Sequence, residues 1–163
     1  MNTTPFLHTI PSPIGALTIG GSTDAVCFVA FDMPPHEEMA IVPEALKLAA
    51  EQLIAYFSGE LRVFSVPLLP EGTPFQQTVW KQLIQIPYGR ISNYRTIAQQ
   101  LGDTNKVRAV GGANGRNPVA IIVPCHRVIG SDASLTGYAG GLWRKQWLLE
   151  HEQKLAGGVQ LLF

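Results

Sequence analysis

The residues best suited to chemistry lie in IIVPCHRVIG, residues 121–130, where Cys125 stands between a proline and a histidine, with Arg127 next. A thiolate is a strong nucleophile, but a free thiol is mostly protonated near neutral pH and needs a base beside it. His126 can be that base, directly or through water. Adjacent residues of an extended chain point to opposite sides, so the pairing demands a local turn. Pro124, with no N–H and a fixed φ, forces one between a buried extended segment and a short strand. Two other roles compete for Cys125: a thiol packed as a small apolar side chain, and a metal ligand. The chain holds only Cys27 and Cys125, plus His8, His36, His126 and His151, with no CxxC and no paired ligand spacing. This composition excludes a disulfide framework and removes metal as the leading role. Cys27, in the strand-like run AVCFVAF, is read as a core cysteine.

A histidine acting as base needs a third group to orient it. In GGLWRKQWLLEHEQK, the residues Leu142, Lys145, Leu149 and Glu152 share one helical stripe. Glu152 then turns inward, where a carboxylate is costly without a partner and His126 is a suitable one. An exposed Glu152 at a frayed helix end fits the same spacing. Arg127 serves either to anchor backbone carbonyls or to touch a substrate.

These side chains need a scaffold, and 163 residues at 46% hydrophobic can bury a real core. Residues 5–31 read as short strands with turns at PSPIG and GGSTD. VPEALKLAAEQLIAYFSGEL follows as a helix, with Leu46, Ala49, Ala50, Leu53 and Phe57 on one stripe, Pro43 in its first turn and Gly59 at its end. FSVPLLPEGTP is the expected linker. It separates a unit of residues 1–72 from one of residues 73–163.

The second unit opens on a capping box, Thr73–Gln76 with Pro74 at the first helical position, before the stripe Phe75, Val79, Leu83, Ile86. A helix capped by Ser92 carries Tyr94, Ile97, Ala98 and Leu101 on one face and stops at Gly102. GDTN then leads to a short helix, KVRAVGGANGRNP, with Asn105 as its cap. Helix, short turn, helix is the outline of a helix-turn-helix, though helical hairpins share it. Arg108 and Gly112, at i and i+4, lie away from Val107 and Val110. Either a single cation reaches into nucleic acid beside a close backbone approach, or the arginine is simply exposed and the helix frays at Gly111–Gly112.

Charge divides the same way. Residues 1–72 hold two basic and eight acidic groups, net −6, and residues 73–163 hold ten basic and four acidic, net +6. One basic half is what a face that meets phosphates requires. The N-terminus lacks a basic region followed by an apolar run, and no stretch approaches 18 apolar residues, so a soluble, cytoplasmic protein is expected.

IIVPCHRVI followed by SLTGYAGGLWRKQWLLEHE, with TPFQQTVWKQLIQIPYGRISNYRTIAQQLG and RAVGGANGRNPVAIIVPCHR upstream, resembles the O6-alkylguanine-DNA alkyltransferase family. The resemblance is close over residues 73–153 and loose over 1–72. It implies an α/β protein with an N-terminal ribonuclease-H-like sheet-plus-helix unit and a C-terminal, mainly helical, winged-helix-like DNA-binding unit. It further implies irreversible transfer of an alkyl group from O6-methylguanine, and from O4-methylthymine, to Cys125 after nucleotide flipping. Glu152, His126 and a water would relay the thiol proton, and Tyr94 would donate toward the leaving guanine. Arg108 would fill the gap left by the flipped nucleotide, with Gly112, Ser92 and Arg95 also at the DNA. Asn117 would be a hinge, Val128, Tyr138, Ala139 and Gly140 would belong to the guanine pocket, and Arg127 would be structural. The partner is double-stranded DNA carrying O6-alkylguanine, bound through its minor groove by a monomer with no cofactor and no metal. Ala133 stands where the family commonly has glycine, Trp143 where a smaller or charged residue often sits, and Ala139 where some members have serine.

Overall fold

The computed structural model describes residues 5–157. The chain divides into two compact units between Glu71 and Gly72.

In the first unit, β1 (Phe6–Ile10), β2 (Leu17–Gly21) and β3 (Val26–Phe31) form an antiparallel meander in that order. The register sets Leu17 opposite Phe31 and Ile19 opposite Val29, and β2 is buried along its whole length. The Phe28 ring lies over Gly20, where a Cβ would meet it at 2.2 Å and the ring would have to shift. Helix α1 (Glu44–Ser58) packs on the sheet through Leu46, Ala49, Ala50 and Leu53. Pro43 caps this helix from outside its first turn, and Gly59, at φ 84°, ends it in the left-handed conformation. Tyr56, not Phe57, completes the buried face, since the returning segment brings Phe64 to 5.6 Å from the Tyr56 ring. That segment is only partly a linker. The Val26 N–H donates to the Pro67 carbonyl at 2.9 Å and the Leu69 N–H donates to the Val26 carbonyl at 2.8 Å. A proline lacks a donor but still accepts, so the proline-rich run can pair with β3.

In the second unit, α2 (Pro74–Ile84) starts with both halves of the capping box in place, at 3.1 Å and 2.9 Å. Its Val79, Trp80 and Leu83 are buried, and the Trp80 indole N–H donates to the Ala113 carbonyl at 2.9 Å, tying α2 to α4 (Val107–Gly115). Between them lies α3 (Tyr94–Gln100), whose cap is Asn93 rather than Ser92: Asn93 Oδ1 accepts from the Thr96 N–H at 2.8 Å. Ser92 is one residue too early, and with Asn93 it forms β4 (Ser92–Asn93), parallel to β5 (Val128–Ile129). Gly102, at φ 89°, follows the end of α3. Asp103 then caps in place of Asn105, accepting from the Asn105 N–H at 2.9 Å, because a 3-10 turn over Thr104–Lys106 precedes α4. Helix α4 runs unbroken through Gly111 and Gly112, so it does not fray there. In α5 (Leu142–Ala156), Lys145, Leu149 and Glu152 are buried as the stripe requires, whereas Leu142, in the first turn, is 48% exposed. No helix among the described residues is long and apolar enough to cross a membrane.

Candidate active site

The segment before Pro124 is not extended. It folds into consecutive turns, with the Ile122 N–H on the Ala120 carbonyl at 2.8 Å and the Val123 N–H on the Val119 carbonyl at 3.1 Å. Ile121 is fully buried at φ 71°, a conformation that costs a β-branched residue about 1–3 kcal/mol. Asn117 holds these turns together. Its Nδ2 donates to the carbonyls of Val119 and Val123, at 3.3 and 2.9 Å, and its Oδ1 accepts from the Val119 N–H at 3.0 Å. Asn117 directly follows the Arg116 cap of α4, so one side chain joins that helix to the cysteine loop. Cys125–Arg127 then form a single 3-10 turn, the local turn that lets neighbours 125 and 126 cooperate.

His126 is completely buried, and its Nε2 lies 2.6 Å from Glu152 Oε2. A carboxylate only accepts, so Nε2 carries the proton and Nδ1 of the neutral ring is a free base. Nδ1 has no hydrogen-bond partner among the described residues. Glu152 is held on all sides. Arg127 Nε donates to Oε1 at 2.8 Å, Arg127 Nη2 donates to Oε2 at 3.1 Å, and the Gly89 N–H donates to Oε1 at 3.2 Å. Arg127 Nη1 reaches on to the Ile86 carbonyl at 2.8 Å. Burial alone would raise the Glu152 carboxyl, but His126 and Arg127 hold it well below the usual range. Burial lowers His126 against the pull of Glu152, and Arg127 and Lys145 push it further down. A neutral imidazole backed by an ionised carboxylate is the state needed to take a proton.

Burial pushes the Cys125 thiol up, opposed by an Asn117 hydrogen bond and by the charge of Lys145. Lys145, fully buried in α5, donates to the Val128 carbonyl at 2.6 Å and the Thr136 carbonyl at 3.1 Å. Burial brings its ammonium down to about 8, with the Cys125 charge working the other way. The Tyr94 hydroxyl lies 2.5 Å from Thr136 Oγ1. Burial, then the nearby Cys125, raises the Tyr138 phenol. The Tyr138 carbonyl accepts from the Gly141 N–H at 2.8 Å, and the Gly140 carbonyl accepts from Arg144 at 3.1 Å. Gly140 is buried and Ala139 exposed in that turn.

His126, Arg127 and Glu152 thus converge within and behind the turn that carries Cys125, Asn117 supports that loop, and Tyr94 joins the 130–141 loop through Thr136. Val128 takes part through its carbonyl. Arg108 and Gly112 lie together on the exposed face of α4, Arg95 is exposed on α3, and Ser92 is half-buried in β4. Lys145, Thr136 and Gly89 were not among the residues expected at the site. Lys145 shares the apolar stripe that pointed to Glu152, and the cost of burying a charge applies equally to it.

Fold and site together define a two-unit protein whose helical unit carries a buried cysteine turn backed by a His–Glu–Arg network. Residues 6–70 match the family model described as 6-O-methylguanine DNA methyltransferase, ribonuclease-like domain, and residues 74–154 match that of its DNA binding domain. The chain belongs to this methyltransferase family and is an enzyme of direct DNA repair. It is 49% identical over 160 residues to a methylated-DNA–protein-cysteine methyltransferase of Mycobacterium tuberculosis, covering 96% of this chain and 97% of that one. The crystal structure of the O6-methylguanine methyltransferase of Mycobacterium tuberculosis superposes with a TM-score of 0.84 at 47% identity, covering 96% of this chain and 97% of that one. A crystal structure from Mycobacterium tuberculosis in complex with DNA gives a TM-score of 0.83 at 48% identity, with coverage of 91% and 93%.

Proposed function

We propose that Cys125 accepts the alkyl group of O6-methylguanine, and of O4-methylthymine, in double-stranded DNA, in a single irreversible transfer. The observation that carries this reading is the fixed polarity of His126: Nε2–H is held on Glu152 and Nδ1 is left as a base beside the cysteine turn. The sulfur attacks the alkyl carbon as the carbon–oxygen bond breaks. The thiol proton passes to Nδ1, through water, and Tyr94 protonates the departing guanine. The resulting thioether has no low-barrier route back to a thiol, so each molecule reacts once.

The target carbon is paired inside the duplex, and Cys125 is only 6% exposed, so the nucleotide must leave the stack to reach it. Arg108, on the exposed face of α4, fills the gap, and Gly112 lets the helix approach the minor groove. Ser92 and Arg95 flank that contact. Val128, Tyr138, Ala139 and Gly140 form the pocket for the flipped base. The protein acts as a monomer in the cytoplasm.

The test is to incubate the protein with duplex DNA carrying a radiolabelled methyl on guanine O6 and map the label by peptide mass spectrometry. One label per protein on the Cys125 peptide is expected. Binding without transfer would leave a DNA-binding module, and multiple turnover would indicate a Cys/His hydrolase.

A further inference from the structure

The acid side of the site is a chain of three groups rather than a lone tyrosine. Lys145 Nζ lies 3.5 Å from Thr136 Oγ1, which in turn lies 2.5 Å from the Tyr94 hydroxyl. Lys145 also donates to the Thr136 carbonyl at 3.1 Å, so the ammonium is anchored on the residue that links it to Tyr94. An ammonium has donors only, whereas a hydroxyl both donates and accepts. Thr136 Oγ1 therefore accepts from Lys145, and its single proton is free to turn toward the Tyr94 oxygen, while either hydroxyl can donate in the Thr136–Tyr94 pair. In the arrangement where Thr136 donates, Tyr94 keeps its own proton directed away from Thr136.

We propose that Thr136 is a positioning residue for the transfer reaction: it aims the Tyr94 proton at the departing base and passes a replacement proton from Lys145 to Tyr94. This rests on the alkyl-transfer reading given above. The balance is complete without another reactant. The sulfur–carbon bond forms, the carbon–oxygen bond breaks, and the thiol proton goes to His126. The departing guanine anion takes the proton of Tyr94, whose oxygen takes that of Thr136, whose oxygen takes one from Lys145. Lys145 is left as a neutral amine, which closes the proton balance of a single turnover. Its burial favours that step, since the ammonium is already brought down to about 8. The charged and titratable groups acting with it are Cys125, which opposes that shift, and His126, which Lys145 pushes down.

A relay to the leaving group differs from a merely structural threonine in its response to the leaving group itself. The full-length protein is reacted in single turnover with O6-benzylguanine and with O6-benzyl-8-azaguanine, whose departing anion is more stable and needs the proton less. Thr136→Val keeps the shape and removes the hydroxyl. It is expected to slow O6-benzylguanine by roughly tenfold, a modest share of what a positioned acid supplies, and to slow the aza compound by less than about threefold. Thr136→Ser restores the hydroxyl and is expected within about twofold of the parent on both. Equal slowing of both substrates by Thr136→Val, or a Thr136→Ser protein as slow as Thr136→Val, would overturn the relay. If Thr136→Val does not fold, the Thr136→Ser comparison is made against Lys145→Met on the same two substrates, with the same criterion. Absence of Cys125 labelling in the parent protein would instead refute the alkyl-transfer reading on which the relay rests.

Discussion

Arg127 grips Glu152 with two N–H groups, Nε on Oε1 at 2.8 Å and Nη2 on Oε2 at 3.1 Å. The carboxylate behind His126 is therefore already balanced by a permanent cation, and the imidazole has no need to be charged. Two charges and a neutral base, all buried, form a set in which each member depends on the others.

Removing the cation should be the most damaging change in this set. Arg127→Met leaves a buried Glu152 with His126 and the Gly89 N–H but no permanent cation, and a broken buried pair costs about 3–5 kcal/mol. Arg127→Lys keeps the charge but loses the fork and the bond to the Ile86 carbonyl, with an expected loss of about 1–3 kcal/mol. Urea unfolding measures both. A loss below about 1 kcal/mol for Arg127→Met would contradict the bidentate geometry.

Acid should unfold the protein through the same residues. His126 in the fold lies below its usual 6.5, so the unfolded chain binds its proton first, and the stability tied to the neutral ring is lost as pH falls from about 6.5. Glu152 lies below its usual 4.5, so its contribution is present above that value and lost below it. Both act in the same direction. The unfolding free energy should decline steadily below about pH 6.5, and Glu152→Gln should flatten the part below about pH 4.5. Glu152→Gln should also slow transfer by roughly a hundredfold, since the base loses its orienting anion. A parent protein equally stable from pH 7 to 4 would sink this account.

The site was legible where chemistry forces a residue type and opaque where geometry is made by the backbone. Glu152 could be found because a carboxylate on a leucine stripe demands a partner, and the same logic applied to Lys145 would have exposed the buried ammonium. Arg127 was expected to be structural, but nothing in the string PCHR shows which carboxylate it holds. The turns at Ala120–Val123 were hidden, because IIV reads as strand while the Asn117 side chain imposes Ile121's φ of 71° from outside that run. Nothing local to Gly89 marks it as a site residue, since its N–H on Glu152 depends on α5 returning from 63 residues away in sequence. Thr73 is the cap the sequence indicates, whereas Ser92 and Asn105 miss the observed caps Asn93 and Asp103 by one and two residues, a slip that local patterns cannot resolve.

Ala133 offers a test on the loop that carries Thr136. It sits at φ 67°, in the left-handed region that favours glycine. The left-handed conformation costs alanine about 1–2 kcal/mol, while glycine gives back about 0.4–1 kcal/mol in unfolded-chain entropy. Ala133→Gly should therefore stabilise the protein by about 0.5–1 kcal/mol, against the usual sign for such a change. The urea midpoint should rise with an unchanged slope, and a lower midpoint would show that the loop does not hold this conformation in solution.

Gly112 separates folding from DNA contact most sharply. A Cβ added there meets nothing within 4 Å, and the residue lies in the interior of α4. Gly112→Ala should thus leave the fold intact and strengthen the helix by about 1 kcal/mol. Under the proposed docking of α4 on DNA, the same methyl stands between the helix and the backbone it approaches. Transfer from duplex O6-methylguanine should fall by roughly tenfold, while reaction with free O6-benzylguanine stays within about twofold of the parent. Arg108→Ala should show the same split and lower the salt dependence of duplex binding by about one counterion. Equal losses on duplex and free base for either variant would remove α4 from the DNA interface.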